Sequence, residues 1–503
     1  MLALCALATA IAALVAGGPL DGMPHVSDEI VYTLQARLFA AGARLGPAAD
    51  NASMMLYPFW ETAPASFGIF PPGWPALLAA GERIGLGWLV NPLVAGALPW
   101  LTWLLAREAS PRSAVLAAAL AALSPGVWIL AASRMSHTSV LAATLAVAVV
   151  VARGRDGRLA WLGAGLAAAY VVTARPYDAL IVAGPLLALG LLRAPDAASR
   201  LPLVVLPGLG AALVLWDNAA LTGSALTFPV EPWFDRWVAD LGRPPGCNGL
   251  GFGADRGCAP TEGGFGHTPA KALSIGVSSL ARLDRLLLGL HGGLVAALVG
   301  AWALRRPALL LGLALPVGAY ALYWSPGLAY GARFYHLAYV VLPVLAAAGL
   351  HRLLGRWAWA VALGLPLATC PPILGDLSRD FWCVDGSLKA QLSELGIEAG
   401  VLFLDAGGER TLGWPALGVE ALTCDPMLEA GDAFAWMDPS ATTGGLQPRY
   451  ALSDPARTRA YLDAHHPGAE AWVVEHDIAG DRRRISAVNP DGTRRVIWTE
   501  PAD

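Results

Sequence analysis

Two adjacent acidic residues, Asp28 and Glu29, stand shortly after the first apolar segment of the chain and are preceded by Ser27. A carboxylate at such a position can act as a general base that removes the proton from an incoming hydroxyl group. A structural role is the alternative, because acidic residues in the first turn after a Ser N-cap complement the helix dipole. Both residues are therefore candidates for catalysis, with helix stabilisation as the competing interpretation.

Three arginines, each beside other hydrogen-bonding side chains, form a second group of candidates in short connections between apolar segments. They are Arg134 with Ser136 and His137, Arg175 with Tyr177 and Asp178, and Arg333 with Tyr335 and His336. Guanidinium groups match the geometry of phosphate oxygens, so this group predicts a phosphate-binding cluster at a membrane surface. The alternative is that the arginines reach outward to lipid headgroups. Two histidines in separate connections do not by themselves indicate a metal site.

The composition indicates what must position these residues. Hydrophobic residues make up 56% of the 503 residues and charged residues only 14%, with a mean hydropathy of +0.52. Soluble domains carry about 25% charged residues, so this chain cannot cover a soluble surface of its size. The net charge of −4 and the absence of a basic run exclude a nucleic-acid partner. We therefore predict a polytopic integral membrane protein in contact with membrane lipids.

About eleven apolar runs are long enough to cross roughly 30 Å of hydrocarbon. They fall near residues 2–20, 86–106, 113–131, 138–152, 159–174, 179–193, 201–219, 286–304, 308–324, 335–350 and 357–374. The first run lacks the basic flank of a secretion signal, so we expect an uncleaved membrane helix there. The predicted fold class is thus mainly α, a transmembrane helical bundle.

The connections between these runs predict the sidedness of the chain. Every second connection is short and rich in arginine: Arg107 and Arg112; Arg153, Arg155 and Arg158; Arg193 and Arg200; Arg305 and Arg306; Arg352 and Arg356. Positive residues accumulate in cytoplasmic loops, so these connections are assigned to the cytoplasm. The long loops 21–85 and 220–285 and the tail 376–503 are then extracytoplasmic.

Two helices are expected in the first long loop. Ile30, Leu34 and Leu38 recur every four residues, which predicts an amphipathic helix lying in the membrane interface. A second helix, roughly 73–84, should follow the turn at Pro71-Pro72. These elements belong to a predicted transmembrane domain of residues 1–375.

The tail, residues 376–503, differs in composition from the rest of the chain. Short apolar runs such as Val401–Leu404 and Trp472–Val474 alternate with polar, helix-like stretches such as 455–465. This alternation predicts a small soluble α/β or α+β domain.

Six cysteines are present, and four of them lie in the regions assigned to the outside. An oxidising periplasm permits disulfides there, and we predict the pairs Cys247–Cys258 and Cys383–Cys424. The glycines between Cys247 and Cys258 do not follow a strand, so a nucleotide-binding loop is excluded and a disulfide-closed loop is favoured. No cysteine spacing is typical of a zinc site.

Taken in order, these features resemble the GT-C superfamily of membrane glycosyltransferases. The similarity is to the bacterial relatives of protein O-mannosyltransferases and of the aminoarabinose transferase that modifies lipid A, and it covers roughly residues 20–350. The matching motifs are Asp28-Glu29 with Tyr32 and Gln35-Ala36, Pro71-Pro72-Gly73-Trp74-Pro75, Asn91-Pro92, Ser136-His137, Thr173 with Arg175-Pro176, Asn218 with Thr222-Gly223, Gly251-Phe252-Gly253, His267-Thr268 and Gly331-Ala332-Arg333-Phe334-Tyr335.

The resemblance implies an enzyme that moves a sugar from a polyprenyl-phosphate carrier to an acceptor hydroxyl of a lipid, glycan or protein, with inversion. Asp28 corresponds to the catalytic acid of that family, Glu29 to its neighbour, and Arg333 to a residue that contacts the carrier phosphate. The resemblance also implies a bacterial inner membrane and an extracytoplasmic active site. It implies no soluble cofactor. Some members have a second acid where this chain has Ser136-His137, so the participation of a divalent metal stays open.

Two other classes of function are compatible with a bundle of this kind. A transporter or flippase of lipid-linked saccharides would be expected to show internal repeats and ionisable residues at mid-membrane depth, and neither is evident. A non-catalytic membrane scaffold would be favoured if Asp28 faced lipid instead of a cavity.

Overall fold

The computed structural model describes residues 1–500 except 50–54, 56, 155–156, 240–242, 261–263, 385, 407–409, 425, 441–445, 453 and 478–481. Arg155, one of the arginines assigned to the cytoplasmic side, lies outside the described residues. Helices dominate the first three quarters of the chain. In order they are α1 (Leu2–Gly17), α2 (Ser27–Ala40), α3 (Gly73–Glu82), α4 (Val90–Ala95), α5 (Ala97–Ala109), α6 (Ala114–Leu123), α7 (Pro125–Ala132), α8 (His137–Arg153), α9 (Arg158–Ala174), α10 (Pro176–Asp178), α11 (Gly184–Arg193), α12 (Ala197–Thr222), α13 (Val230–Trp237), α14 (Pro269–Leu288), α15 (Gly293–Leu304), α16 (Pro307–Tyr320), α17 (Leu342–Leu354) and α18 (Ala358–Leu377).

Several of these helices join into longer apolar units. Among the described residues, four continuous units are long and apolar enough to cross a membrane: Gly87–Ala109, Pro176–Arg193, Ala197–Thr222 and Leu342–Cys383. Two bent pairs, α6 with α7 and α14 with α15, raise the number to six, and α1, α8, α9 and α16 are shorter apolar helices. Each of the eleven predicted apolar runs contains helix. The chain is therefore a multi-pass membrane protein, as the composition predicts.

The region before α15 differs from the prediction. Residues 269–285 were expected to be loop, but they form most of α14, which meets α15 at 86°. The break has a local cause, because Gly289 and Gly292 both adopt positive φ angles, of 85° and 121°, that side chains other than glycine rarely tolerate. The break consequently separates α14, a helix that the prediction lacked, from the apolar helix α15.

The last quarter of the chain forms the predicted α/β domain. Its helices are α19 (Ser387–Glu394), α20 (Pro426–Glu429), α21 (Gly431–Phe434) and α22 (Pro455–His465). A minor pair of strands, β1 (Trp60–Glu61) and β2 (Phe67–Gly68), lies in the first long loop, and the strands of the C-terminal domain are β3 (Gly400–Ala406), β4 (Arg410–Trp414), β5 (Val419–Cys424), β6 (Leu446–Tyr450), β7 (Ala471–Asp477), β8 (Arg482–Val488) and β9 (Arg494–Thr499).

The C-terminal sheet has the strand order β6-β3-β7-β8-β9. Strand β3 runs parallel to β6 and β7, whereas β7, β8 and β9 pair antiparallel, and β4 with β5 forms a separate hairpin. A mixed sheet flanked by helices is an α/β arrangement. With the helical bundle before it, this sheet confirms the predicted fold class.

Helix α2 does not lie in the membrane interface as predicted, because it is buried on nearly every side. Its Tyr32 and Ala36 belong to the core of the bundle, while Ile30, Leu34 and Leu38 pack into a core shared with the C-terminal domain. The four-residue spacing was thus a true sign of an apolar face, and a protein domain covers that face in place of lipid. Helix α2 is thus one of the elements that join the two parts of the molecule.

Helix α3 begins at Gly73, within the predicted range. Glycine is required there because the end of α9 comes too close to leave room for a side chain. A Cβ atom at Gly73 would stand 2.4 Å from the hydroxyl of Thr173 and 2.8 Å from the backbone nitrogen of Ala174. The start of α3 therefore packs directly on the end of α9, just before Arg175.

The assigned sidedness can be tested with single cysteines in a background where the free Cys5 and Cys370 are replaced by Ala. Leu226, 79% exposed after α12, belongs to a connection assigned to the outside, and Arg158, with 72% of its side chain exposed, to one assigned to the cytoplasm. We expect Leu226→Cys in intact cells to react with a membrane-impermeant thiol reagent and Arg158→Cys to react only after lysis. Reaction of both, or the reverse pattern, would overturn the topology.

Candidate active site

A cavity of about 930 Å³ lies at the end of the bundle that carries α2, α14 and the C-terminal domain. We call it the outer cavity. Four cationic side chains and two carboxylates line it, which gives a formal net charge of +2; they are Arg175, Lys271, Arg282 and Arg333, and Asp28 and Asp178. The cavity is suited to an anion that carries one or two negative charges.

Asp28 and Arg333 meet in this cavity. A guanidinium nitrogen of Arg333 lies 3.4 Å from a carboxylate oxygen of Asp28, and the two side chains are 12% and 17% exposed. Asp28 is in the first turn of α2, and Arg333 begins a 3-10 helix, Arg333–Val340, directly before α17. Two residues from opposite ends of the predicted membrane domain thus form one partly accessible ion pair.

Arg175 and Asp178 form a second ion pair on the wall of the cavity. The hydroxyl of Tyr320 donates to a carboxylate oxygen of Asp178 at 2.7 Å and accepts from Arg175 at 2.9 Å. Arg175 also approaches the hydroxyl of Ser136, at 3.5 Å. This arrangement fixes the Arg175 guanidinium at the wall of the cavity.

Glu29, predicted as a catalytic neighbour of Asp28, is absent from the cavity lining and only 1% exposed. Its carboxylate accepts hydrogen bonds from the backbone nitrogens of His25, Val26 and Arg134 and from the hydroxyl of Tyr330. Burial, together with the Glu29 carboxylate, raises the pKa of Tyr330, so its hydroxyl stays protonated and donates. Glu29 therefore fixes the start of α2 instead of reaching substrate.

The N-cap of α2 is likewise different from the prediction. The helix is capped by Val26, not by Ser27, and the Glu29 side chain returns to the Val26 nitrogen. Ser27 lines the outer cavity.

Arg134, a predicted phosphate contact, is engaged elsewhere. Its guanidinium donates to Glu82, to the hydroxyl of Thr33 and to the carbonyl of Gly22 at 3.0, 3.1 and 2.7 Å, and it is absent from the lining of the cavity. Glu82 also binds Arg37, which donates to two carbonyls of the C-terminal domain. We use the name buried ion chain for the connected set Glu29, Arg134, Glu82 and Arg37. This set connects both ends of α2 to the surrounding structure.

His137 and Tyr335, the other two predicted contacts, also lie outside the lining of the outer cavity. His137 is buried at the start of α8, with its ring centroid 6.2 Å from that of His336. Tyr335 lines a small pocket that adjoins the outer cavity and shares Tyr320 and Phe334 with it. Neighbouring residues in these turns point to different sides of the backbone, so a residue beside a cavity-lining residue need not reach the cavity itself. Spacing in the sequence does not show which of the neighbours reaches it.

Several lining residues were not singled out from the sequence. Lys271, Ser274, Ser278 and Arg282 occupy one face of α14, and the three- and four-residue spacing was a usable signal of a polar helix face. Aromatic side chains form much of the remaining wall: Phe59, Phe70, Trp233, Phe234, Trp237, Tyr323, Trp324, Phe334 and Trp382.

Both cysteine pairs proposed from the sequence are bonded in the structure, with Cα atoms 5.1 Å apart in Cys247–Cys258 and 5.5 Å apart in Cys383–Cys424. The first closes the loop that packs behind Trp233 and Phe234 of α13. The second joins the connection after α18 to strand β5. Among the described residues, no three His, Cys, Asp or Glu side chains group as metal ligands, and no step below uses a metal.

Comparison with known proteins gives structural neighbours only. No protein-family model matches the chain, and no curated protein is significantly similar to it. One solved neighbour is the archaeal oligosaccharyltransferase AglB from Archaeoglobus fulgidus, in complex with an inhibitory peptide and a dolichol-phosphate, with TM-score 0.39 and 15% identity over 97% of this chain and 73% of that one. Another is ArnT from Cupriavidus metallidurans bound to undecaprenyl phosphate, with TM-score 0.41 and 15% identity over 86% of this chain and 76% of that one.

At such identities and TM-scores the likeness carries no argument about chemistry. The function of this chain has to be argued from its own cavity.

The buried ion chain predicts a large difference between two arginine substitutions. Arg134→Met removes one partner of a 7%-exposed pair and should destabilise the protein by about 3–5 kcal/mol. Arg158→Met removes an exposed pair with Asp196, a kind of interaction that contributes little to stability because solvent screens it. Thermal unfolding in one detergent measures both effects. Equal midpoints for the two variants would show that the buried ion chain contributes little to the stability of the protein.

Proposed function

We propose that this protein is a membrane glycosyltransferase that moves a sugar from a polyprenyl-phosphate carrier to an acceptor hydroxyl at the extracytoplasmic face of a bacterial inner membrane. The observation that carries the proposal is the meeting of Asp28 and Arg333, 3.4 Å apart, in one cationic cavity at the end of a membrane bundle. A base and a phosphate-binding cation at one place are the minimum that this reaction needs.

In the proposed reaction, Asp28 accepts the proton of the acceptor hydroxyl. The acceptor oxygen attacks the anomeric carbon from the side opposite the carrier, so the configuration inverts. The bond between that carbon and the phosphate oxygen breaks, and its electron pair leaves with the phosphate. Arg333 and Arg175 are placed to stabilise the negative charge that develops there, because donors fixed before reaction need no reorganisation.

The ion pair between Asp28 and Arg333 implies that the carrier phosphate binds before Asp28 acts as the base. While the pair is intact, the carboxylate of Asp28 is engaged by Arg333 and not by an acceptor hydroxyl. A carrier phosphate that binds Arg333 would take over its charge and leave Asp28 free to act as a base. Arg175 keeps its own partners, Asp178 and Tyr320, and so would bind phosphate without releasing a carboxylate.

The apolar wall of the cavity supports a lipid-linked donor. The rings of Phe59 and Trp233 lie 5.0 Å apart and those of Trp233 and Trp237 lie 5.3 Å apart, which gives a continuous aromatic surface. Such a surface can bury the first isoprene units while the cationic side chains bind phosphate.

The competing classes fit this site less well. A non-catalytic scaffold would not require Asp28 to face a cavity, and Asp28 is part of its lining. A flippase would require a path for the phosphate through the bundle. The charged lining residues belong to α2, α10, α14 and the turns beside them, at one end of the bundle.

We expect Asp28→Asn to lower sugar transfer by about 10²–10⁴-fold, because the amide keeps the shape and removes the base. Arg333→Gln should instead raise the KM for the donor. The assay is transfer from polyprenyl-phosphate donors by purified, folded variants in nanodiscs.

Two control variants accompany this assay. Asp255→Asn changes a 62%-exposed carboxylate outside the cavity and should transfer at the wild-type rate. Glu29→Gln should lower thermal stability, because four hydrogen bonds to a charged acceptor are weakened. Near wild-type transfer by Asp28→Asn would exclude Asp28 as the base.

A further inference from the structure

The C-terminal domain contributes a distinct part of the wall of the outer cavity. Its lining residues are Trp382, Leu422 and Leu428, which are apolar, while the charged lining residues all come from the membrane domain. Among the described residues, the C-terminal domain therefore adds no charged side chain to the lining of the cavity. It adds the large flat ring of Trp382 and the aliphatic side chains of Leu422 and Leu428.

Trp382 is held rigidly in this wall. It has a φ angle of 58°, in the left-handed region that few residues other than glycine adopt, and its neighbours Asp380 and Cys383 also have positive φ angles. Such conformations persist only where the surroundings fix them. Here the disulfide Cys383–Cys424 follows directly, and the Trp382 ring stacks on Trp414 with centroids 5.8 Å apart and an interplanar angle of 22°.

Helix α14 stands beside this wall and supplies hydroxyl groups. Arg282 donates to the carbonyl of Gly418, the residue before β5, and Arg285 donates to the carbonyl of Pro415, at 3.0 and 2.9 Å. The two contacts hold α14 against the hairpin that carries Leu422. Ser274 and Ser278, four residues apart on the same face of α14, line the cavity.

We propose that Trp382, Ser274 and Ser278 form a saccharide subsite that receives the sugar ring of a glycan acceptor. A pyranose ring has one flat face of C–H groups, which packs on a rigid indole, and hydroxyl groups on its edge, which hydrogen-bond to serine side chains. An acyl chain would cover the exposed hydroxyl of Ser274 without giving it a hydrogen-bond partner, and that is unfavourable. The Ser278 hydroxyl already donates to the carbonyl of Ile275 and accepts from Arg282, both at 3.3 Å, and can accept one further hydrogen bond from a sugar hydroxyl. The inference deepens the proposed function by naming the class of acceptor, and it rests on that function for its biological meaning.

The subsite can be tested without any sugar donor. Ser274→Cys, in the background with Cys5→Ala and Cys370→Ala, places one reactive thiol in the cavity, because the other four cysteines are bonded. The rate of its alkylation by a maleimide is measured in the full-length protein in nanodiscs. The probes are neutral trisaccharides of gluco, manno and galacto configuration, and 1-octanol as an acyl-chain mimic.

We expect at least one trisaccharide to slow alkylation in a saturable manner, and 1-octanol not to do so. Trp382→Leu should raise the half-protecting concentration about three- to tenfold, since it removes ring stacking. Trp382→Phe keeps a flat ring and should retain most of the protection, which separates stacking from a folding defect. Trp359→Leu, on an exposed face of α18, is the matched control and should change nothing.

Three results would overturn the proposal. They are the absence of protection by every trisaccharide, protection by 1-octanol alone, which would indicate an acyl chain as occupant, and saccharide protection that Trp382→Leu leaves intact. Because no donor or transfer step enters the experiment, its failure is distinguishable from a failure of Asp28 to act as the base.

Discussion

The structure of the site depends on one buried carboxylate, that of Glu29. A charge with 1% exposure is stable only when it is fully compensated, and the four donors that compensate it come from three separate parts of the chain. Two donors precede α2, one is the backbone of Arg134 before α8, and one is Tyr330 before the 3-10 helix of Arg333. The same interaction therefore fixes the start of α2, where Asp28 lies, and the turn that leads to Arg333.

The rest of the arrangement extends from that point. Arg134 and Glu82 carry the ion network to Arg37 at the far end of α2, and Arg37 binds carbonyls of the C-terminal domain. Helix α2 is thus fixed at both ends by charge and along its length by two apolar cores. Asp28 projects from this fixed helix into a cavity whose other walls include α13, α14 and part of the C-terminal domain, and fixed support of this kind is what positioned catalysis requires.

The fold class was predictable from the sequence, because apolar runs of membrane length are strong, local signals. Asp28, Arg175, Asp178 and Arg333 were predictable as a group, since their segments were assigned to one side. The roles of Glu29 and Arg134 were not predictable. Whether a carboxylate binds substrate or the protein depends on donors such as Tyr330, which is distant in the sequence. The position of α14 depends on two glycine conformations, and that of Trp382 on a disulfide between distant segments.

The central claim is that Asp28 and Arg333 share one cavity and that carrier phosphate competes with Asp28 for Arg333. The most direct measurement is the Kd of undecaprenyl phosphate for nanodisc-embedded wild type, Asp28→Asn and Arg333→Gln. We predict that Asp28→Asn binds at least as tightly as wild type, because a competing anion is gone, while Arg333→Gln binds about 10- to 100-fold more weakly. Weaker binding by Asp28→Asn, or an unchanged Kd for Arg333→Gln, would contradict the account.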